Sequence, residues 1–87
     1  MAEKKKILLQ KLFATPVPKN FTVRELDQLM KLCNCGKFQG GRGSGIGYMH
    51  NPTGRCIQFD EPHPGNCLYR YQIKKVKAFL ELVEEVK

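Results

Sequence analysis

The side chains of this sequence best suited to chemistry are two imidazoles, four thiols and a set of clustered cations. His50 and His63 could exchange a proton near neutral pH. His63 stands between Pro62 and Pro64 in the stiff run Pro62-His63-Pro64-Gly65-Asn66, just ahead of a basic helix. Amides at a helix start favour phosphate, so His63 is the candidate catalytic or phosphate-contacting imidazole; a turn histidine that orders its own loop is the other reading. His50 precedes the turn Asn51-Pro52-Thr53-Gly54, where an exposed strand position is expected. Its parity with Ile46 and Tyr48 would bury it only if that face is the core.

The glycine-rich run Gly40-Gly41-Arg42-Gly43-Ser44-Gly45-Ile46-Gly47 offers bare backbone amides to an anion. It lacks the Gly-Lys-Ser/Thr of a nucleoside-triphosphate loop, and a strand rather than a helix follows it, so a nucleotide cofactor is not expected. Cys33, Cys35, Cys56 and Cys67 supply the sulfur count of a structural zinc site but not its paired Cys-x-x-Cys spacing. Free thiols in a reducing, cytoplasmic compartment are the expectation, with no metal and no small-molecule cofactor.

Charge gives the direction. The chain has 87 residues and a formal net charge of +7, from 15 basic and 8 acidic residues. Residues 28–80 hold eight basic residues against Asp60 and Glu61 alone, whereas the last seven residues are net acidic. A nearly acid-free stretch of this kind attracts phosphates by long-range steering and counterion release. Lys37, Arg42 and Arg55 are placed around the strands; Arg70, Lys74, Lys75 and Lys77 lie on the last helix. An acidic protein partner is the alternative to nucleic acid. No apolar run approaches the ~20 residues that cross a bilayer, and Ile7–Leu9 is too short for a signal-peptide core, so no membrane partner is expected.

The elements that must hold these residues follow from periodicity. Lys4–Ala14 reads as a helix with Leu8, Leu9, Leu12 and Phe13 on one side, stopped by Pro16 and Pro18. Thr22 and Glu25 form a capping box before a second helix whose apolar face is Val23, Leu26, Leu29, Met30 and Cys33, with Gly36 as its stop. Strands are expected at Lys37–Gln39, Gly47–Asn51 and Arg55–Asp60, the last two as a hairpin. A final helix is expected from about Leu68 to Val86, with Lys74 and Lys77 outward. The predicted fold is α+β: a three-stranded antiparallel sheet packed on one face by helices, in the order α-α-β-β-β-α. Residues 1–20 form a helical extension and 21–87 the domain proper.

Gly43-Ser44 before a strand, His50, Gly54-Arg55, the Pro62–Asn66 block and the basic helix opening Tyr71-Gln72-Ile73-Lys74 resemble the HicA family over roughly Phe21–Leu82. That resemblance implies a double-stranded-RNA-binding-like fold. It further implies an mRNA interferase, the toxin of a type II toxin–antitoxin pair, with mRNA as substrate and a HicB-like antitoxin as partner. Such cleavage needs one group to deprotonate the 2′-hydroxyl, another to protonate the leaving oxygen, and a cation for the phosphorane. The family's catalytic histidine directly follows the Gly-Ser pair; here that position is Gly45. The resemblance thus leaves His63 as candidate acid/base and Lys37, Arg42, Ser44, Arg55, Arg70, Lys74 and Lys77 as candidate RNA contacts. A module of the same fold that binds RNA or antitoxin without cleaving is the alternative.

Overall fold

The computed structural model describes residues 2–39, 45–60, 62 and 65–85. Three helices and three strands follow one another as α1 (Ala2–Leu12), α2 (Val23–Leu32), β1 (Cys35–Gln39), β2 (Gly45–His50), β3 (Arg55–Asp60) and α3 (Arg70–Leu82). This is the α+β order and the three-stranded antiparallel sheet expected from the sequence.

The sheet runs β1-β2-β3, antiparallel throughout. Its register pairs Lys37 with Tyr48 and Tyr48 with Ile57, and pairs Ile46 with Phe59. Because strand side chains alternate, paired positions share a face. Ile46, Tyr48, His50, Ile57 and Phe59 therefore turn toward the helices, and all five are buried. Gly36, Phe38, Gly47, Met49, Cys56 and Gln58 share the opposite, helix-free face. There Phe38 lies over Gly47, where a Cβ would meet its ring at 2.6 Å.

The helices complete one core. From α2 come Leu26, Leu29 and Met30; from α3 come Ile73, Val76, Phe79 and Leu80. Leu8 and Leu12 of α1 join the same cluster. The N-terminal helix is thus built into the core.

Local signals explain the helix ends. Glu25 N donates to Thr22 Oγ1 (3.1 Å) and Thr22 N to Glu25 Oε1 (3.0 Å), the reciprocal capping box read from the sequence. Burial would by itself raise the Glu25 carboxyl, but Lys11 and Thr22 outweigh it and hold it below its ordinary value. The stop after α2 differs from expectation. Asn34, at φ 64°, takes the left-handed position, and Gly36 is already inside β1. Asparagine tolerates that conformation, so β1 starts at Cys35, two residues earlier than predicted.

At the other end, α3 is shorter than its apolar periodicity suggests. Leu68 N donates to Phe21 O (2.8 Å) and Thr22 bridges Cys67, so this segment is a short extended pairing and not helix. Leu68 is buried either way, which is why spacing alone misassigns it. Past Leu82, Glu84 N donates to Glu81 O and Glu85 N to Leu80 O, with Glu84 at φ 60°. That bonding is a Schellman turn, and it swings Glu85 back toward the sheet.

Candidate nucleic-acid interface

Of the residues expected to meet RNA, Arg42, Ser44 and His63 lie outside the described residues. The others do not form one cluster. Lys37 shares the helix side of the sheet with its partner Tyr48, at the β1 edge, and its ammonium pairs with Asp27 of α2 at 3.2 Å. Tyr48 donates its hydroxyl to the other oxygen of the same carboxylate. Lys37 is therefore half of a surface ion pair that ties α2 to the sheet edge. Arg55 opens β3 opposite His50, while Gly45 pairs with Asp60 at the other end of the sheet. At ~3.4 Å per residue the two ends are about 17 Å apart.

Among the described residues the helix-free sheet face presents Phe38, Met49, Cys56, Gln58 and Asp60, and no lysine or arginine. The cations that come together are those of α3. Arg70, Lys74 and Lys77 are spaced i, i+4, i+7, which places them along one stripe of the helix. Arg70 and Lys74 are exposed. Lys77 is half-buried where an outward position was expected, its ammonium 5.3 Å from the Phe13 ring centroid. Its stem covers the end of α1 while its charge stays at the surface, an arrangement long cationic side chains favour.

Lys19 extends the stripe. An open cleft of about 300 Å³ separates the α1–α2 connection from the start of α3, lined by Pro16, Val17, Pro18, Lys19, Leu68 and Arg70. Lys19 was not singled out in the sequence, because a lone lysine in a proline-rich loop has no periodicity to flag it. Only the folding of that loop against Leu68 sets it beside Arg70.

The start of α3 is held by a buried amide. Gln72 is fully buried; its Oε1 accepts from Tyr69 N (2.8 Å) and its Nε2 donates to Asp60 O (2.7 Å). Both halves of the amide are satisfied, as burial requires. Asp60 pairs with Gly45, so this bond brings the first turn of α3 to the sheet end that carries position 45. The start of the cationic stripe and position 45 thus share one end of the molecule.

His50 is at the opposite end and is buried, not exposed as expected. Ile46, Tyr48 and His50 do share a face, and that face is the core. The Glu85 carboxylate lies 2.6 Å from His50 Nε2, and Thr53 Oγ1 lies 2.9 Å from Nδ1. A carboxylate only accepts, so Nε2 is the donor in this contact. Lys5 donates to Glu85 Oε1 (2.9 Å) and Asn34 Nδ2 to Oε2 (3.3 Å). Burial alone would raise the Glu85 carboxyl, but the hydrogen bonds from His50, Lys5 and Asn34 outweigh it and leave it below its ordinary value. The same carboxylate raises the Lys5 ammonium against the opposing effect of burial. With both ring nitrogens engaged and 2% of its surface exposed, His50 is a structural tie between β2, the hairpin turn and the chain beyond α3.

Cys33 and Cys35 lie together, Cys35 Sγ 3.6 Å from Cys33 O, and the other two thiols lie apart from them. Burial pushes Cys33 up to about 11 and Cys35 up to about 12, while Cys56 is exposed on the helix-free face and Cys67 sits at the bridge to Thr22. Among the described residues no three His, Cys, Asp or Glu side chains are grouped to hold a metal ion. No described helix is long and apolar enough to cross a membrane.

Comparison of the chain with protein-family models, with curated proteins and with solved structures gives no match.

Proposed function

We propose that this protein binds RNA along the cationic stripe of α3, as a HicA-like toxin of a type II toxin–antitoxin pair acting in the cytoplasm. Its substrate is then mRNA and its partner a HicB-like antitoxin. The observation that carries the reading is the alignment of Arg70, Lys74 and Lys77 on one helix stripe, with Lys19 across a cleft from Arg70. Among the described residues the ion pairs engage Lys5, Lys11, Lys37 and His50, and none of these stripe cations. They are available to phosphate oxygens, and phosphate contacts of this kind supply most non-specific nucleic-acid affinity.

Binding without cleavage is the second reading, and a specific observation favours it. Position 45 has no side chain, and the one described histidine is buried with both nitrogens bonded. A cleavage step would fall to His63.

Two measurements test these readings. Affinity for a labelled RNA, followed against salt, should fall with a log–log slope of about −2 to −3, as three or four phosphate contacts to a single strand predict. Charge reversal at Arg70 and Lys74 should flatten that slope; an unchanged slope would remove the α3 stripe from the reading. Cleavage of mRNA in EDTA is then compared for the natural chain, His63→Ala and Gly45→His. Activity lost on His63→Ala makes the protein a ribonuclease with a relocated histidine. Activity gained only by Gly45→His makes it a binding scaffold that lacks its acid/base group.

A further inference from the structure

The first turn of α3 carries a feature that phosphate binding leaves unexplained. Tyr69 and Tyr71 are 39% and 59% exposed, at the N-cap and second position of the helix. Their ring centroids are 6.0 Å apart with planes inclined by 33°, within the range of a mutually supporting aromatic pair. Arg70 lies between them in sequence, and Lys74 follows one turn later. The backbone beneath is fixed, because the buried Gln72 amide bonds Tyr69 N and ties it to Asp60 of β3. Two large aromatic rings are thus held at the surface on a rigid helix start, beside the cationic stripe of α3.

We propose that Tyr71, supported by Tyr69, is a base-stacking platform for an unpaired nucleotide whose flanking phosphates lie on Arg70 and Lys74. This rests on the RNA-binding reading above and adds to it the site of base contact. The directions are compatible. Tyr71 sits about 100° around the helix from Arg70, so a strand with its phosphates on the Arg70–Lys74 stripe turns its bases toward the ring. Bases inside a duplex are stacked on one another and offer no free π-face, so the platform selects single strands, loops or ends over paired RNA. Every base has such a face, so the contact favours strongly stacking purines without reading sequence.

The test uses fluorescence anisotropy with a labelled 12-nucleotide RNA, alone and annealed to its complement. The proteins are the full chain, Tyr71→Ala, Tyr71→Phe and the Arg70→Glu/Lys74→Glu pair. The expected result is tighter binding of the single strand than of the duplex. Tyr71→Ala should weaken single-strand binding by roughly tenfold, the size of one stacked base, and Tyr71→Phe should retain it. The salt slope should be the same in both variants, because no phosphate contact changes. Since the chain has no tryptophan, quenching of its tyrosine emission by unlabelled oligoadenylate gives a readout that needs no variant. Single-strand binding that Tyr71→Ala leaves unchanged and the charge reversal abolishes would overturn the platform and keep the phosphate interface. Absence of binding to either RNA at low salt would overturn both.

Discussion

Removing the Glu85 carboxylate is the sharpest perturbation of what holds this fold closed. In Glu85→Ala, His50 Nε2 loses an acceptor at 2.6 Å and Lys5 loses its ion-pair partner at 2.9 Å. His50 is 2% exposed, so its N–H is left largely without water or partner. A hydrogen bond to a charged group contributes about 1.5–3 kcal/mol, and its loss at a buried donor falls at the upper end. The Lys5 side chain is 28% exposed, so its pair adds at most about 1 kcal/mol. The expected loss is therefore about 2–3 kcal/mol at pH 7. For a domain of this size that lowers Tm by roughly 10–20 °C.

The pH dependence follows from the sign of the shift. The folded Glu85 carboxyl titrates below its ordinary value of 4.5, so its contribution is complete above pH 4.5 and disappears as pH falls through the lower folded value. The gap between natural chain and variant should be full at pH 7 and close in acid. Urea unfolding followed by circular dichroism at pH 7, and then at steps down to about pH 3, measures it, with the exposed Glu81→Ala as control. A variant within about 0.5 kcal/mol of the natural chain at pH 7, or a gap that stays constant into acid, would refute the clamp.

Two further outcomes follow from the same contacts. Gln72→Leu keeps approximate volume but strands Tyr69 N and Asp60 O, so it should cost about 2–3 kcal/mol in denaturant unfolding and weaken RNA binding through a loosened helix start. Of the four thiols, Cys56 should react with a soluble disulfide reagent in the native state. Cys33 and Cys35, with values near 11 and 12, should react only on unfolding, as a time course of labelling followed by mass spectrometry will show.

Much of this protein is decided locally. The Thr22–Glu25 box needs only side chains three residues apart, and the Asn51–Gly54 turn closes on the adjacent His50, whose carbonyl accepts from Thr53 N and Gly54 N, with Gly54 at φ 73°. Alternation along β2 and β3 places Ile46, Tyr48, Ile57 and Phe59 on one face, and the 3.6-residue period of α3 aligns Arg70 with Lys74 and Lys77. Such patterns are written in the sequence because they depend on neighbours along the chain.

What the tertiary structure decides is everything that depends on distant partners. Parity grouped His50 with Tyr48, but which face is the core depends on where the helices pack, and Glu85, thirty-five residues away, makes its burial tolerable. Lys37 and Arg70 are equally basic in sequence. One is paired by Asp27 from α2, while the other stands at a cleft edge beside Lys19. Asn34 in place of Gly36 at the helix stop, and Leu68 hydrogen-bonded to Phe21 and not in a helix, have the same origin. Burial and hydrogen bonding reward whichever conformation the packed whole allows, and several local conformations fit the same residues equally well.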